Sequence, residues 1–370
     1  MSLFVGLISG TSMDAVDAAM VEFPDSGRPV LVATHSHRMP AELVDTLARL
    51  ARDPLRPAIE AWRADVEVGE CFARAVDALL EKSGVGPERI TAIGSHGQTV
   101  YHGPLDAPRT TVQIGDPNII AERCGITTVA DFRRRDLAAG GQAAPLVPAF
   151  HRTVFAAAGV DRAVLNLGGI ANLTLLPGSP PFTVTGFDTG PANGLLDAWA
   201  RSRYRSAFDR DGAVASSGRL DEPLLRLLLD EPYFRAAPPK STGPELFNLG
   251  WLESRLAARG SGLEPEDVMR TLCDLTAATV ASALEAHAPA TAQVFACGGG
   301  VHNPALMAAI AARLGARRLA STLELGVDPD WVEAMAFAWL ARETLAARAG
   351  NLPAVTGASG ERILGGIYQA

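Results

Sequence analysis

The residue types able to do chemistry gather in a few short stretches of this 370-residue chain. Near the start, Ser9-Gly10-Thr11-Ser12 is followed by Asp14 and Asp17. The glycine lets the backbone bend and the hydroxyls add donors, so the turn can offer N–H and O–H groups to a phosphate, leaving the aspartates to hold a magnesium ion or accept a proton. A plain polar hairpin turn accounts for the same residues. Asp188 stands after an apolar strand and before a Gly190-Pro191 turn and a helix, a position from which an ionised carboxylate can draw a proton from water or a hydroxyl. The alternative there is an N-terminal cap, for which Asn193 is better placed. Gly298-Gly299-Gly300 clears side chains from the path of a nucleotide base or ribose, or is simply a tight turn. Ser95-His96-Gly97-Gln98-Thr99 brings hydrogen-bonding side chains to a strand end, where open sheets bind ligands. Arg133-Arg134-Arg135, set between Asp131 and Asp136, is either a solvated run or the source of one arginine for an anionic substrate group. Lys240-Ser241-Thr242-Gly243 reads equally as a phosphate or substrate contact and as an exposed loop.

Several familiar signatures are missing. There is no Walker A loop and no G-x-G-x-x-G, so any ATP site is of another type, and Ser95 does not sit in the G-x-S-x-G of a nucleophile elbow. The formal net charge of -8 argues against a general nucleic-acid or anionic-membrane surface and confines any phosphate binding to a local pocket. Cys71, Cys124, Cys273 and Cys297 form no C-x-x-C pair, which points to reduced thiols and away from a zinc site or a disulfide framework. With no signal-like leader and no apolar run long enough to span a bilayer, the expectation is a cytoplasmic protein without a membrane partner.

The elements that must position these residues follow from periodicity. An apolar strand leads into the opening turn and a second strand leaves it, with a third over 30–34. Helices are expected over 41–52 and 57–83, a strand over 90–94 carrying Ser95 and His96, a strand over 110–114, a helix over 119–124 and a strand over 127–130. The uncharged, glycine-rich stretch 138–148 is the natural crossing between two domains, which the length also favours. The opening pattern then recurs: a strand over 163–165, the turn Asn166-Leu167-Gly168-Gly169, a second strand to residue 176 and a third over 182–185. Helices over 194–203, 222–229, 269–287, 304–314 and 331–348, with a strand over 294–297, complete the chain. Two glycine hairpins, each followed by a third strand, suggest a duplicated fold with two lobes facing one cleft.

Taken together, the stretches at 9–17, 95–99, 130–136 and 140–142, with Asn166-Leu167-Gly168-Gly169, Phe187-Asp188-Thr189-Gly190-Pro191 and Cys297-Gly298-Gly299-Gly300, resemble the anhydro-N-acetylmuramic acid kinase family, in order and over nearly the whole chain. The resemblance implies an α/β, two-lobed fold like that of actin, Hsp70 and the sugar kinases, with a duplicated mixed-sheet core and ATP in the interdomain cleft. The lobes would comprise residues 1–130 and 131–344, with 345–370 packing back on the first. It implies that water opens the 1,6-anhydro bridge of the sugar and that O6 receives the γ-phosphoryl group of ATP, in the recycling of cell-wall peptidoglycan. On this resemblance Asp188 is the base that activates water, as in inverting glycoside hydrolysis. Gly10, Thr11, Ser12, Met13, Asp14, Ala15, Val16 and Asp17 match the ATP-phosphate segment, Asp14 or Asp17 organising hydrated Mg2+. Gly168 and Gly169 would serve a second phosphate loop, and Gly298, Gly299 and Gly300 the adenosine. His96, Gln98, Arg133 and Gln142 are the candidates around the sugar and its lactyl carboxylate, chosen by position. The family often has glycine where this chain has Ala15, Ala143 and Ala192, which adds strain wherever a positive φ is required. The partners expected are ATP and an anhydro amino sugar; a homodimer is admitted but not required. An ordinary sugar kinase of the same fold and a nucleotide-driven binding protein of the Hsp70 or actin type are the alternatives.

Overall fold

In the computed structural model of the chain, residues 2–10, 13–25, 28–53 and 56–370 are described. Thr11 and Ser12 of the expected phosphate turn lie outside the described residues. Contacts divide the chain into a first unit, residues 1–154 with 331–370, and a second unit, residues 155–330.

In the first unit the opening apolar run forms β1 (Ser2–Ile8), buried from Phe4 onwards. It pairs antiparallel with β2 (Ala15–Phe23), and β2 pairs antiparallel with β3 (Val30–Arg38). β4 (Ile90–Ser95) then joins the other side of β1 in parallel. β5 (Gln98–Gly103) and β6 (Thr110–Ile114) form a separate two-stranded ribbon, and β7 (Thr128–Ala130) lies parallel to β4. The second unit repeats the scheme. β8 (Arg162–Leu167), β9 (Ile170–Leu176) and β10 (Thr185–Pro191) make an antiparallel meander, β11 (Gln293–Cys297) lies parallel to β8, and β12 (Arg318–Ser321) lies parallel to β11. The two sheet orders, β3-β2-β1-β4-β7 and β10-β9-β8-β11-β12, are the same topology, so the duplicated mixed-sheet core is present. The first sheet gains one more strand, β13 (Gly366–Tyr368), antiparallel on β7.

Helices cover the sheets with their apolar faces. The helix Ala58–Ser83 buries Val68, Phe72, Val76 and Leu79 with residues of β1, β2 and β4. Val332–Leu345 packs on β1 and β4, at Gly6 and Gly94. A Cβ on either glycine would overlap the helix backbone at Ala334 or Phe337, so these two positions set how closely the helix lies on the sheet. In the second unit Pro265–His287, largely small and apolar along its buried face, packs beside β10. All four cysteines are free and buried. Among the described residues no helix is long and apolar enough to cross a membrane.

Several expectations shift. The units divide at 154 and 331 rather than at 130 and 344. Helix Phe132–Ala138 packs on β6, Phe150 meets Trp339 at 6.2 Å between ring centroids, and Val332–Leu345 belongs to the first sheet along its whole length. The glycine-rich stretch is therefore not the crossing, and it is flanked by two helices, Phe132–Ala138 and Val147–Phe155. β10 begins at Thr185 and carries Asp188 inside the strand, opposite Asn172, because pairing with β9 extends it through Pro191. The helix Asn193–Tyr204 has Ala192 at its cap position, and Asn193 sends its side chain to the Leu167 carbonyl at 3.0 Å in place of capping.

Candidate active site

Asp188 is held from three directions by one segment of the second unit. Its backbone N–H donates to the Lys240 carbonyl at 3.1 Å and its own carbonyl accepts the Tyr233 hydroxyl at 2.9 Å. The Thr242 N–H donates to Oδ2 at 3.0 Å, and the other carboxylate oxygen has no hydrogen bond among the described residues. Burial pushes the carboxyl up to about 6 from 3.8; the Thr242 N–H and the Lys240 ammonium pull the other way, and Glu245 adds to the rise. A carboxylate fixed on one oxygen, open on the other and titrating near 6 is ionised at neutral pH and is a stronger base than an ordinary aspartate.

Elsewhere in this unit the two glycine turns meet. Gly298 has φ 81°, and a Cβ there would lie 2.5 Å from the Asn166 Oδ1; one on Gly300 would lie 2.5 Å from the Leu167 Cβ. Both must be glycine for the turn to rest on the end of β8, whereas a Cβ on Gly299 would make only an ordinary contact, 3.9 Å from the Asn193 Nδ2. Gly168 and Gly169 are committed in another way. Their carbonyls accept the N–H groups of Asn193, Ala192 and Gly194, each at 3.0 Å, so those first donors of the helix Asn193–Tyr204 are already used and are not offered to a phosphate.

In the first unit Asp14 is exposed, and Asp17 is half-buried on β2 opposite Ile8 and Ser36. Among the described residues no group of three or more His, Cys, Asp and Glu forms a metal cage. Magnesium keeps most of its waters and takes one or two carboxylates beside substrate phosphates, so this pair suits it better than a cage would.

The candidates for the sugar fall into a second network of the first unit. Arg133 Nε–H donates to His96 Nε2 at 3.0 Å and Nη1–H to the Ala143 carbonyl at 2.8 Å. His96 therefore carries its proton on Nδ1, which meets the Gly97 carbonyl at 2.9 Å, and burial with the neighbouring Arg133 holds its pKa well below the usual value. Neither ring nitrogen is left for a ligand; His96 orients Arg133. Burial lowers Arg133 itself to about 10, against the raising effect of Glu333 and Asp136. Asp136, wholly buried, accepts the Ala143 N–H at 2.9 Å, the Asn351 amide at 2.7 Å and the Thr356 hydroxyl at 2.8 Å. Gln142 joins the same knot, its N–H donating to the Thr356 carbonyl at 2.7 Å. Gln98 gives its amide N–H to the Thr99 carbonyl at 3.1 Å. Ser9 Oγ, Ser95 Oγ, Gln98 Oε1 and His102 Nε2 are buried and lack a hydrogen-bond partner among the described residues, at the ends of β1 and β4 and along β5. Such atoms are able to bond a polar ligand, although the second unit holds a similar set at Thr242, Arg255, Arg317 and Thr322.

Residues 2–370 match the family described as anhydro-N-acetylmuramic acid kinase. The chain belongs to that family. Anhydro-N-acetylmuramic acid kinases from Xanthomonas campestris pv. campestris (strain 8004) and Shewanella amazonensis (strain ATCC BAA-1098 / SB2B) are 53% and 50% identical to it. Each alignment covers 100% of this chain, with 97% and 99% of the respective relative. Of Ala15, Ala143 and Ala192, where the resemblance led to an expectation of strain, only Ala143 has a positive φ, at 62°. Ala15 lies in β2, and Ala192 has φ -135°. Tyr233, Glu245, His102, Asn351 and Thr356 are members of these networks that the sequence reading passed over. Tyr233 lies 45 residues from Asp188 in an unpatterned loop, and only the fold brings it there.

Proposed function

We propose that this chain is an ATP-dependent kinase that opens the 1,6-anhydro ring of anhydro-N-acetylmuramic acid with water and phosphorylates O6. The products are N-acetylmuramic acid 6-phosphate and ADP, and the setting is the recycling of peptidoglycan in the cytoplasm. The observation that carries the reading is Asp188, a carboxylate with one oxygen on the Thr242 N–H, the other unoccupied, and a pKa raised by burial to about 6.

Asp188 takes a proton from water as its oxygen attacks the anomeric carbon, and the C1–O6 bond breaks with its electron pair passing to O6. No general acid is required if O6 is captured by the γ-phosphoryl group, with ADP departing; the proton on Asp188 then returns to solvent. Phosphoryl transfer needs mainly alignment and charge neutralisation. Asp14 and Asp17 would hold a hydrated magnesium ion, which supplies neutralisation of the phosphate charge when bound. Residues 10–17 are proposed for the phosphates, Gly168 and Gly169 for a second phosphate contact, and Gly298, Gly299 and Gly300 for adenosine. Arg133, Gln98 and Gln142 are proposed for the sugar, with His96 acting through Arg133. The unpaired buried atoms of Ser9, Ser95, Gln98 and His102 support a polyhydroxylated ligand.

The test is product analysis with Asp188→Asn as control. Authentic anhydro sugar with ATP and magnesium should give the 6-phosphate, and the variant should give none while still binding nucleotide. Phosphorylation of ordinary sugars with none of the anhydro sugar would contradict the proposal.

A further inference from the structure

The segment that wraps Asp188 is tied back on itself by one side chain. Lys240 Nζ donates to the carbonyls of Tyr233 and Phe234 at 3.2 and 3.3 Å and stands 4.7 Å from the centroid of the Tyr233 ring. Those carbonyls close the short 3-10 turn Pro232–Arg235, where partial negative charge collects and a cation is favoured. The turn rests on an aromatic floor: Phe234 stacks on Phe247 at 5.4 Å and 12°, and Trp251 meets Phe247 edge-on at 5.1 Å. From this mooring the backbone of Lys240 accepts the Asp188 N–H, and two residues on Thr242 donates to the carboxylate.

We propose that Lys240 is a positioning residue for Asp188: its ammonium, moored on the Tyr233 and Phe234 carbonyls and the Tyr233 ring, holds the Lys240 carbonyl and the Thr242 N–H against the catalytic aspartate. The inference rests on Asp188 being the base. Lys240 forms no ion pair among the described residues, so its charge is spent on carbonyls and does not occupy the carboxylate that must receive a proton from water. A lysine paired directly with Asp188 would make a weaker base of it. At this remove the ammonium contributes only its field, which lowers the aspartate's pKa against the raising effects of burial and of Glu245. The other groups that face the pair are the Tyr233 hydroxyl, neutral and pushed upwards by burial, and His287, whose pKa burial and Lys240 lower and whose ring lies 5.1 Å from that of Phe187.

The test compares Lys240→Met, which keeps the stem and loses the charge and donors, with Lys240→Arg, which keeps the charge. Turnover of the anhydro sugar is followed across pH, with KM for ATP and thermal stability. Lys240→Met should lose about 10- to 100-fold in kcat with KM for ATP unchanged, and its acid limb should move to higher pH. Lys240→Arg should return the limb to the wild-type position. Unchanged kcat and limb in Lys240→Met would overturn the proposal. So would a loss equal at every pH with a lowered melting temperature, the mark of loop packing alone. Full activity of Asp188→Asn would instead overturn the base assignment, which separates the two failures.

Discussion

Replacing Asp188 by asparagine should make the protein more stable as it makes it inactive. Burial raises the carboxyl from 3.8 to about 6, so above pH 6 the folded protein carries an ionised group it would rather protonate. The difference corresponds to about 3 kcal/mol of stability forgone at alkaline pH. Asparagine keeps the shape and still accepts the Thr242 N–H, and the raised value of about 6 already includes what that bond gives the charged form, so the net gain is about 3 kcal/mol. For a unit the size of residues 155–330 this is a rise in melting temperature of about 6–12 °C. The sign depends on pH. A carboxyl whose folded pKa is raised costs nothing below its unfolded value, and the cost grows as pH rises through about 4 to 6. Thermal unfolding of both proteins, free of ligands, should therefore show the gain at pH 8 and its disappearance near pH 4. A lower melting temperature for Asp188→Asn at pH 8, or the same gain at both pH values, would refute the reasoning.

Two further substitutions probe the first unit. Asp136→Ala leaves the Ala143 N–H, the Asn351 amide and the Thr356 hydroxyl without their buried acceptor and should destabilise by about 3 kcal/mol or more, read from the urea midpoint. A change below about 1 kcal/mol would mean that the knot is not a structural tie. Ala143→Gly relieves a left-handed residue at φ 62° but deletes a wholly buried methyl group worth about 0.8 kcal/mol and adds entropy to the unfolded chain, so stability should change by less than about 1 kcal/mol. A loss of about 2 kcal/mol or more would show that the alanine is not strained.

Much of the architecture is legible because local pattern and tertiary role agree. The buried run of β1, the leucine spacing of Ala41–Arg52 and the apolar face of Ala58–Ser83 each announce their element. The duplicated core is visible as two glycine hairpins, although the shared strand order needs the pairings themselves. Where pattern is weak, the chain is harder to read. Helix Phe132–Ala138 is hidden by its arginines and by Asp131 in a left-handed conformation ahead of it, and β10 by its two glycines and by Asp188, held in the strand through pairing with β9. The surroundings of Asp188 are harder still: Tyr233, Lys240 and Thr242 come from a polar loop without periodicity, about fifty residues away. Side chains such as His96 look like ligand donors in sequence and turn out to be spent on their neighbours, because hydrogen-bond partners are set by tertiary distance and not by residue type.

The central claim is that water opens the anhydro ring in the reaction that phosphorylates O6. The most direct measurement is turnover of anhydro-N-acetylmuramic acid with ATP and magnesium in oxygen-18 water, with the product analysed by mass spectrometry. One labelled oxygen on the anomeric carbon and none in the transferred phosphoryl group is the predicted result. A phosphorylated product without anomeric label, or label found only in inorganic phosphate with the sugar untouched, would contradict it.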